Sequence, residues 1–159
     1  MHRVTALGVF ILIVVLAVAV GGQFVGGDWY QAMHQPSWNP PAILMALVWA
    51  VIYVLMAVSA WMVWETMRSM AMPSLAWWGL QLLLGGAWSW MFFGLHRVGW
   101  ELASMGAWLL VAVITTVSFR SIRFEAAGLM LPVLAWLVFS LALSFAQWQL
   151  NGGGLHSVF

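Results

Sequence analysis

Asp28-Trp-Tyr-Gln-Ala-Met-His-Gln-Pro-Ser-Trp-Asn-Pro-Pro-Ala42-Ile-Leu-Met-Ala-Leu-Val-Trp49-Ala-Val-Ile-Tyr53 opens as a loop dense in aromatic residues and prolines and continues as an apolar stretch without a charge. Asn39 carries the side-chain oxygen of a good N-cap. Pro40 suits the first helical position, where a missing N–H costs nothing and the fixed φ is already helical. Pro36 biases Gln35 towards extended geometry. The pattern predicts a stiff loop over 26–41, pinned to the mouth of a helix that begins at Ala42 and closed over it as a lid.

A helix that apolar needs an apolar solvent, and the composition supplies the reason. Of 159 residues, 65% are hydrophobic and 6% charged, with mean hydropathy +1.00, whereas soluble domains carry about 25% charged residues. A chain this short cannot hide so much apolar surface in one water-soluble core. Five arginines and four acids leave the net charge near zero, which excludes a nucleic-acid partner, since phosphate neutralisation needs a basic face. With no cysteine, disulfides, thiolate metal sites and cysteine nucleophiles are excluded too.

Cutting the chain at its charges leaves five uncharged segments, about 4–25, 42–64, 75–95, 102–119 and 126–149. Each approaches the ~20 residues that a helix needs to cross ~30 Å of hydrocarbon. The fold class this predicts is all-α, a five-helix transmembrane bundle forming one domain over 1–159. The first segment has a rival reading as a signal peptide, with Arg3 as its basic region and Ala17-Val18-Ala19 as a cleavage site. The uncharged run continues to Val25, longer than the ~7–15 residues of such a core, so a retained span is expected. If all five segments span, Arg3, Arg68, Arg120 and Arg123 share one side and Arg97 faces the other. The basic side is expected to be cytoplasmic, with the N-terminus inside and the C-terminus outside, in a bacterial cell membrane. The Asp28–Pro41 loop, the turn from His96 to Glu101 and the Gly152-Gly153-Gly154 tail then share the outer face.

Short connections predict that sequential helices are antiparallel neighbours. Ser74 behind Pro73 is placed to cap the third helix, and Pro132 to kink the fifth. Small residues four apart, Gly22 with Gly26, Gly85 with Ser89 and Ala103 with Ala107, permit close helix approach. Internal packing is their ordinary use, and a dimer seam through Gly85 and Ser89 is the sharper one.

Thirteen tryptophans need an account. An interfacial belt explains Trp61, Trp64, Trp77 and Trp78 on one side and Trp100 and Trp148 on the other. It does not explain Trp49, Trp88, Trp90, Trp108 and Trp136. At 1.5 Å rise per residue, Trp49 lies about 6 Å from its helix centre on the lid side, Trp88 and Trp90 are similarly placed, and Trp108 and Trp136 fall near mid-depth. Rings that simply fill the core are the ordinary reading. An aromatic-lined cavity for a flat hydrophobic ligand is the other. Two features favour the cavity: the indole N–H groups find few partners beyond Ser89, Ser140 and Ser144, and Gly85-Gly86-Ala87 removes side-chain volume opposite the rings. No ionisable residue falls inside any segment so cut, which disfavours an ion-coupled pump. No nucleophile with an adjacent base and no carboxylate–histidine cluster for a metal can be picked out. His2, His34, His96 and His156 lie at membrane edges, where histidine is most often solvated. His34, in the lid, is the one weak candidate for a haem axial ligand. Glu65 and Arg68 read as a surface pair of little consequence.

These residues resemble the TspO/MBR family, the tryptophan-rich sensory proteins that include the translocator proteins, from about Trp29 to Asn151. The resemblance rests on Trp29-Tyr30, Pro36-Ser37-Trp38-Asn39-Pro40-Pro41, Trp49 with Tyr53, Trp88-Ser89, Phe92-Phe93-Gly94-Leu95-His96-Arg97, Leu131-Pro132 with Trp136, and Leu150-Asn151. It implies a five-helix bundle, usually a homodimer, with a pocket under the first loop that binds porphyrins such as protoporphyrin IX or haem. By that resemblance Trp29, Tyr30, Trp38, Trp49, Tyr53, Trp88, Ser89, Trp108 and Trp136 line the pocket. Trp49 and Trp136 would be the reactive residues if the protein degrades porphyrin in light. Gly85 and Ser144 replace asparagines common in the family, Val133 a tyrosine and Gln35 a lysine, leaving fewer polar groups in the cavity. The cholesterol-recognition pattern on the last helix is missing. The expected function is tetrapyrrole binding with a sensory or regulatory role, requiring no cofactor. Light-dependent porphyrin breakdown, or carriage of porphyrins and other lipophilic molecules across the bilayer, are the alternatives.

Overall fold

The computed structural model of the chain describes residues 3–25 and 27–152. Among them are five long helices: α1 (Arg3–Gly22), α3 (Ala42–Met67), α4 (Met72–Ser89), α5 (Val98–Arg120) and α6 (Phe124–Leu150). A short helix α2 (Asp28–Ala32) lies in the first loop. The described residues hold no strand. Arg3–Gly22, Val98–Arg120, Phe124–Leu150 and the helical run Ala42–Gly94, which contains both α3 and α4, are long and apolar enough to cross a membrane. Large aliphatic side chains such as Leu47, Leu83, Leu110 and Val117 are more than half exposed along their flanks, which only a lipid solvent makes tolerable. The protein is an all-α, multi-pass integral membrane protein.

The helices form a closed ring in the order α1–α3–α6–α5–α4, returning to α1. Sequential helices are therefore not always neighbours. α3 and α4 scarcely touch, because α1 packs against both. Phe10 of α1 meets Trp78 edge-on at 5.4 Å, and Gly21 lies against Gly86 and Ser89. The ring closes on Met56, Ala60, Val63, Met105, Trp108, Ala112, Phe119, Met130, Val133 and Leu137, all fully buried. Buried polar groups bond across the seams: Ser59 Oγ donates to the Ala126 carbonyl at 2.8 Å, Trp78 Nε1 to that of Met56 at 3.0 Å, and Ser89 Oγ to that of Gly21 at 2.7 Å. In hydrocarbon an unmet polar group has no water to turn to, so such bonds fix which faces meet.

Several helix ends differ from the sequence expectation. Pro41, not Asn39, is the N-cap residue, with φ −56° and ψ 146°. Pro41 holds Pro40 in extended geometry, so no helix can start before Ala42. Ser74 does not cap α4, which already starts at Met72, and its hydroxyl shares a 2.6 Å bond with Ser118 of α5. α6 continues across Pro132. α3 ends where Arg68 takes a left-handed φ of 52°. Glu65 is no isolated surface residue: its carboxylate, 9% exposed, pairs with Arg68 at 3.1 Å and with Arg3 at 3.3 Å, tying the start of α1 to the end of α3. Ala103 and Ala107 are exposed, while Gly26, His2, His156, Gly153 and Gly154 lie outside the described residues.

The loop over the bundle is stapled from several sides. The Asn151 side chain accepts from the His34 backbone N–H at 3.0 Å and donates to the His34 carbonyl at 2.9 Å. Gln147 Nε2 donates to Gln35 Oε1 at 2.7 Å, and a turn closes from the Asn39 N–H to the Pro36 carbonyl. Aromatic contacts hold the rest: Trp29 stacks on His96 at 4.3 Å, and Tyr30 packs on Phe92 and Phe93.

Two outcomes follow from this packing. Asn151→Ala removes both bonds to His34, each worth about 0.5–1.5 kcal/mol net, and is expected to speed hydrogen exchange of the His34 amide about tenfold or more while amides of α5 keep their protection. At Gly85 a Cβ would lie 2.7 Å from Trp108 Cη2. Gly85→Ala is therefore expected to destabilise the bundle by about 1–3 kcal/mol, measured as a lower thermal midpoint in detergent.

Candidate functional site

Four helices bring rings to one place beneath the loop. Trp49 of α3 is the hub. It stacks on Trp108 of α5 at 5.5 Å and lies 5.9 Å from Trp88 of α4. It meets Trp136 of α6 edge-on at 6.0 Å and Tyr53, one turn along its own helix, at 5.9 Å. Trp88 continues into Phe92, stacked at 5.9 Å, and Phe92 reaches Trp29 and Tyr30 of the loop. Trp136 continues into Phe139 at 5.0 Å, against which Trp38 packs at 5.7 Å. Trp49, Tyr53, Trp88, Trp108 and Trp136 thus form one contact network, with Trp38, Tyr30 and Trp29 joined to it through phenylalanines.

Not every expected residue takes part. Residues two apart on a helix point about 200° apart, so Trp90 cannot face inward beside Trp88, and it is 46% exposed. Ser89 faces α1 through its bond to Gly21. Trp78, expected in the interfacial belt, is 4% exposed and belongs to the core. Trp29 also lines an outer cleft of about 300 Å³ with Met33, His96, Trp148 and Asn151. His34 is exposed and held by its backbone rather than its imidazole, an arrangement that does not fit a haem axial ligand.

The Gly85 space is not a hollow. Trp108 fills it, and the Tyr53 hydroxyl lies 3.1 Å from where a Cβ would stand. Carbon contact distances are about 3.5 Å, so a flat guest between two faces needs them about 7 Å apart. Trp49 and Trp108, 5.5 Å apart, leave no such slot while stacked, and a guest has to part them or lie along their edges. The hydrogen bonding, by contrast, is incomplete. The indole N–H groups of Trp108 and Trp136 are buried without a partner, as are the hydroxyls of Ser104 and Ser140. Buried polar groups are nearly always paired, and each orphan costs about 1–3 kcal/mol.

Sequence reasoning missed Glu101 and Gln81. Cutting the segments at charges left Glu101 in a turn, yet α5 starts at Val98 and its first turn carries Glu101 fully buried inside the bundle. The expectation that no ionisable residue lies within a helical segment is therefore corrected. Spacing held the signal: Glu101, Ser104 and Trp108 follow each other at three and four residues, one face of a helix. Gln81 is also fully buried, with both amide atoms unpaired.

The TspO/MBR family model matches residues 9–149. The chain is 35% identical to the human translocator protein over 94% of its own length and 92% of that protein's. It is 34% identical to Protein CrtK of Rhodobacter capsulatus, covering 94% of each chain. It is likewise 34% identical to the tryptophan-rich sensory protein of Cereibacter sphaeroides, over 78% of this chain and 77% of that one. With the match running through all five long helices and the aromatic network they assemble, the chain belongs to the TspO/MBR family.

Proposed function

We propose that this membrane protein binds a tetrapyrrole, protoporphyrin IX or haem, against the indole network under the first loop, and that occupancy serves a sensory or regulatory role. The observation that carries the reading is the meeting of Trp49, Trp88, Trp108 and Trp136 from four helices. Aromatic faces suit an apolar macrocycle, and the unpaired N–H groups of Trp108 and Trp136 suit acceptor oxygens such as its carboxylates. Arg3 and Arg68 share Glu65 at the end of the bundle away from the lid. We place that end in the cytoplasm of a bacterial cell, which leaves the lid and the C-terminus outside. The reading includes a homodimer, whose seam lies elsewhere than Gly85 and Ser89, since both face inward.

A second reading, carriage across the bilayer, is favoured by one feature. An apolar groove of about 380 Å³ runs between α1 and α3, lined by Val14, Val18, Ala50, Tyr53 and Ala57 among others. Through Tyr53 it reaches the ring network from the lipid side.

Titrating detergent-solubilised protein with protoporphyrin IX is expected to quench tryptophan fluorescence saturably. Trp49→Ala with Trp136→Ala should weaken affinity about tenfold or more, two aromatic contacts being worth roughly 0.5–1.5 kcal/mol each beyond their area. Quenching that never saturates, or that survives the double substitution unchanged, would overturn the proposal. Carriage adds protein-dependent porphyrin uptake into proteoliposomes, slowed several-fold by Ala50→Leu in the groove; uptake equal to that of empty liposomes would remove it.

A further inference from the structure

Arg68 stands where the backbone calls for glycine. Its φ of 52° and ψ of −126° match the first central position of a type II′ turn, which glycine fills because it has no Cβ to clash. A side chain held in that conformation costs stability, and where one persists the cost points to a use for the side chain. Arg68 Nη1 meets Glu65 Oε1 at 3.1 Å, while Arg3 Nε meets Oε2 of the same carboxylate at 3.3 Å. Two cations therefore stand on the two oxygens of one anion, and one positive charge is left over. The other acid at this end of the bundle, Glu125, pairs with Arg123 at 3.5 Å. Glu65 is nearly buried, but the side chains of Arg3 and Arg68 are exposed. Each guanidinium carries five N–H donors, and the contact with Glu65 engages one nitrogen of each.

The surroundings of this excess charge are apolar. Val4 beside Arg3, and Met70 and Met72 beyond Arg68, are all more than half exposed. Trp61 of α3, partly buried, donates its indole N–H to the Arg3 carbonyl at 3.1 Å, as an amphipathic ring does at headgroup level. Unbalanced positive charge set among outward-facing apolar side chains matches an amphiphile with an anionic head. A soluble phosphate would meet the guanidinia and leave the apolar rim unused. A zwitterionic lipid brings its own cation and leaves the excess charge in place.

We propose that Arg3 and Arg68, bridged by Glu65, hold the phosphate of an anionic phospholipid at the end of the bundle away from the lid. The phosphate balances the second guanidinium and, with Glu65, ties the start of α1 to the end of α3. Planar guanidinia suit it, since their paired N–H groups match the geometry of phosphate oxygens. The site shares no residue with the indole network, and its lipid is bound whether or not a tetrapyrrole is.

Native mass spectrometry of detergent-solubilised protein, mixed with phosphatidylglycerol or with phosphatidylcholine of identical acyl chains, reads the preference directly. The unaltered protein is expected to retain one phosphatidylglycerol about tenfold more tightly than phosphatidylcholine, juxtamembrane arginines each favouring anionic lipid several-fold. Arg68→Gly is expected to bring the two lipids within about twofold of each other while keeping its thermal midpoint in lipid-free detergent, since relief of the strained φ offsets the lost ion pair. Arg3→Gln leaves the backbone of that turn alone and is expected to show the same loss. Arg123→Gln removes an equal charge from the same end and is expected to retain the preference. Millimolar inorganic phosphate is expected not to displace the lipid. Equal retention of the two lipids, a preference that survives Arg68→Gly or Arg3→Gln, its loss in Arg123→Gln, which would mean diffuse surface charge, or displacement by inorganic phosphate, which would mean a plain anion site, would each overturn the proposal.

Discussion

Hydrocarbon offers a polar atom nothing, and this constraint orders the whole molecule. Helices answer it for the backbone. For side chains the answer is local: Ser59, Trp78 and Ser89 each give a hydrogen to a backbone carbonyl of a neighbouring helix, and Ser74 and Ser118 share one. Three of these bonds sit on different seams of the ring, and the Trp78 bond reaches from α4 to α3, which are not neighbours in it. They tell helices that are apolar on every side which face to turn inward, information that dispersion among leucines and valines does not carry. Bonds are missing at Trp108, Trp136, Ser104, Ser140 and half of Glu101, and also at Gln81, Trp64, Trp148 and Asn39.

Much of this was legible in the sequence, for reasons that can be named. Uncharged runs near twenty residues long announce spans, and the family resemblance ran through the same residues. The helix ends are less legible because a charge does not always mark a boundary. Glu65 and Glu101 are instead accommodated within helices, one between two arginines and the other between an indole and a hydroxyl. Neighbour order was not legible for α3 and α4, since α1 is apolar all round and no stripe along it says which helices it will separate. Depth alone does not place Trp90, because depth is a coordinate along the helix and the 200° between Trp88 and Trp90 is the coordinate around it.

The candidate site shows the same division. That Trp49, Trp88, Trp108 and Trp136 share a slab could be read from depth. That Trp108 would occupy the space left by Gly85 could not, because a glycine marks absent volume without saying who takes it. Here the neighbour's ring does. The network is consequently closed in shape and open in hydrogen bonding.

That combination bears on how a membrane protein could choose a guest at all. Its standing competitor is the lipid acyl chain, present at enormous concentration and as apolar as any ligand. A dry greasy hollow would simply fill with it. Stacked rings exclude a chain, since parting them forfeits about 0.5–1.5 kcal/mol per aromatic pair and an alkyl chain returns no hydrogen bond. A flat guest with donors and acceptors at its edge restores the ring contacts on both its faces and pairs groups worth about 1–3 kcal/mol each. If a tetrapyrrole binds as proposed, selectivity against the solvent would come from the unpaired N–H groups of Trp108 and Trp136, with the rings as the gate such a guest has to open.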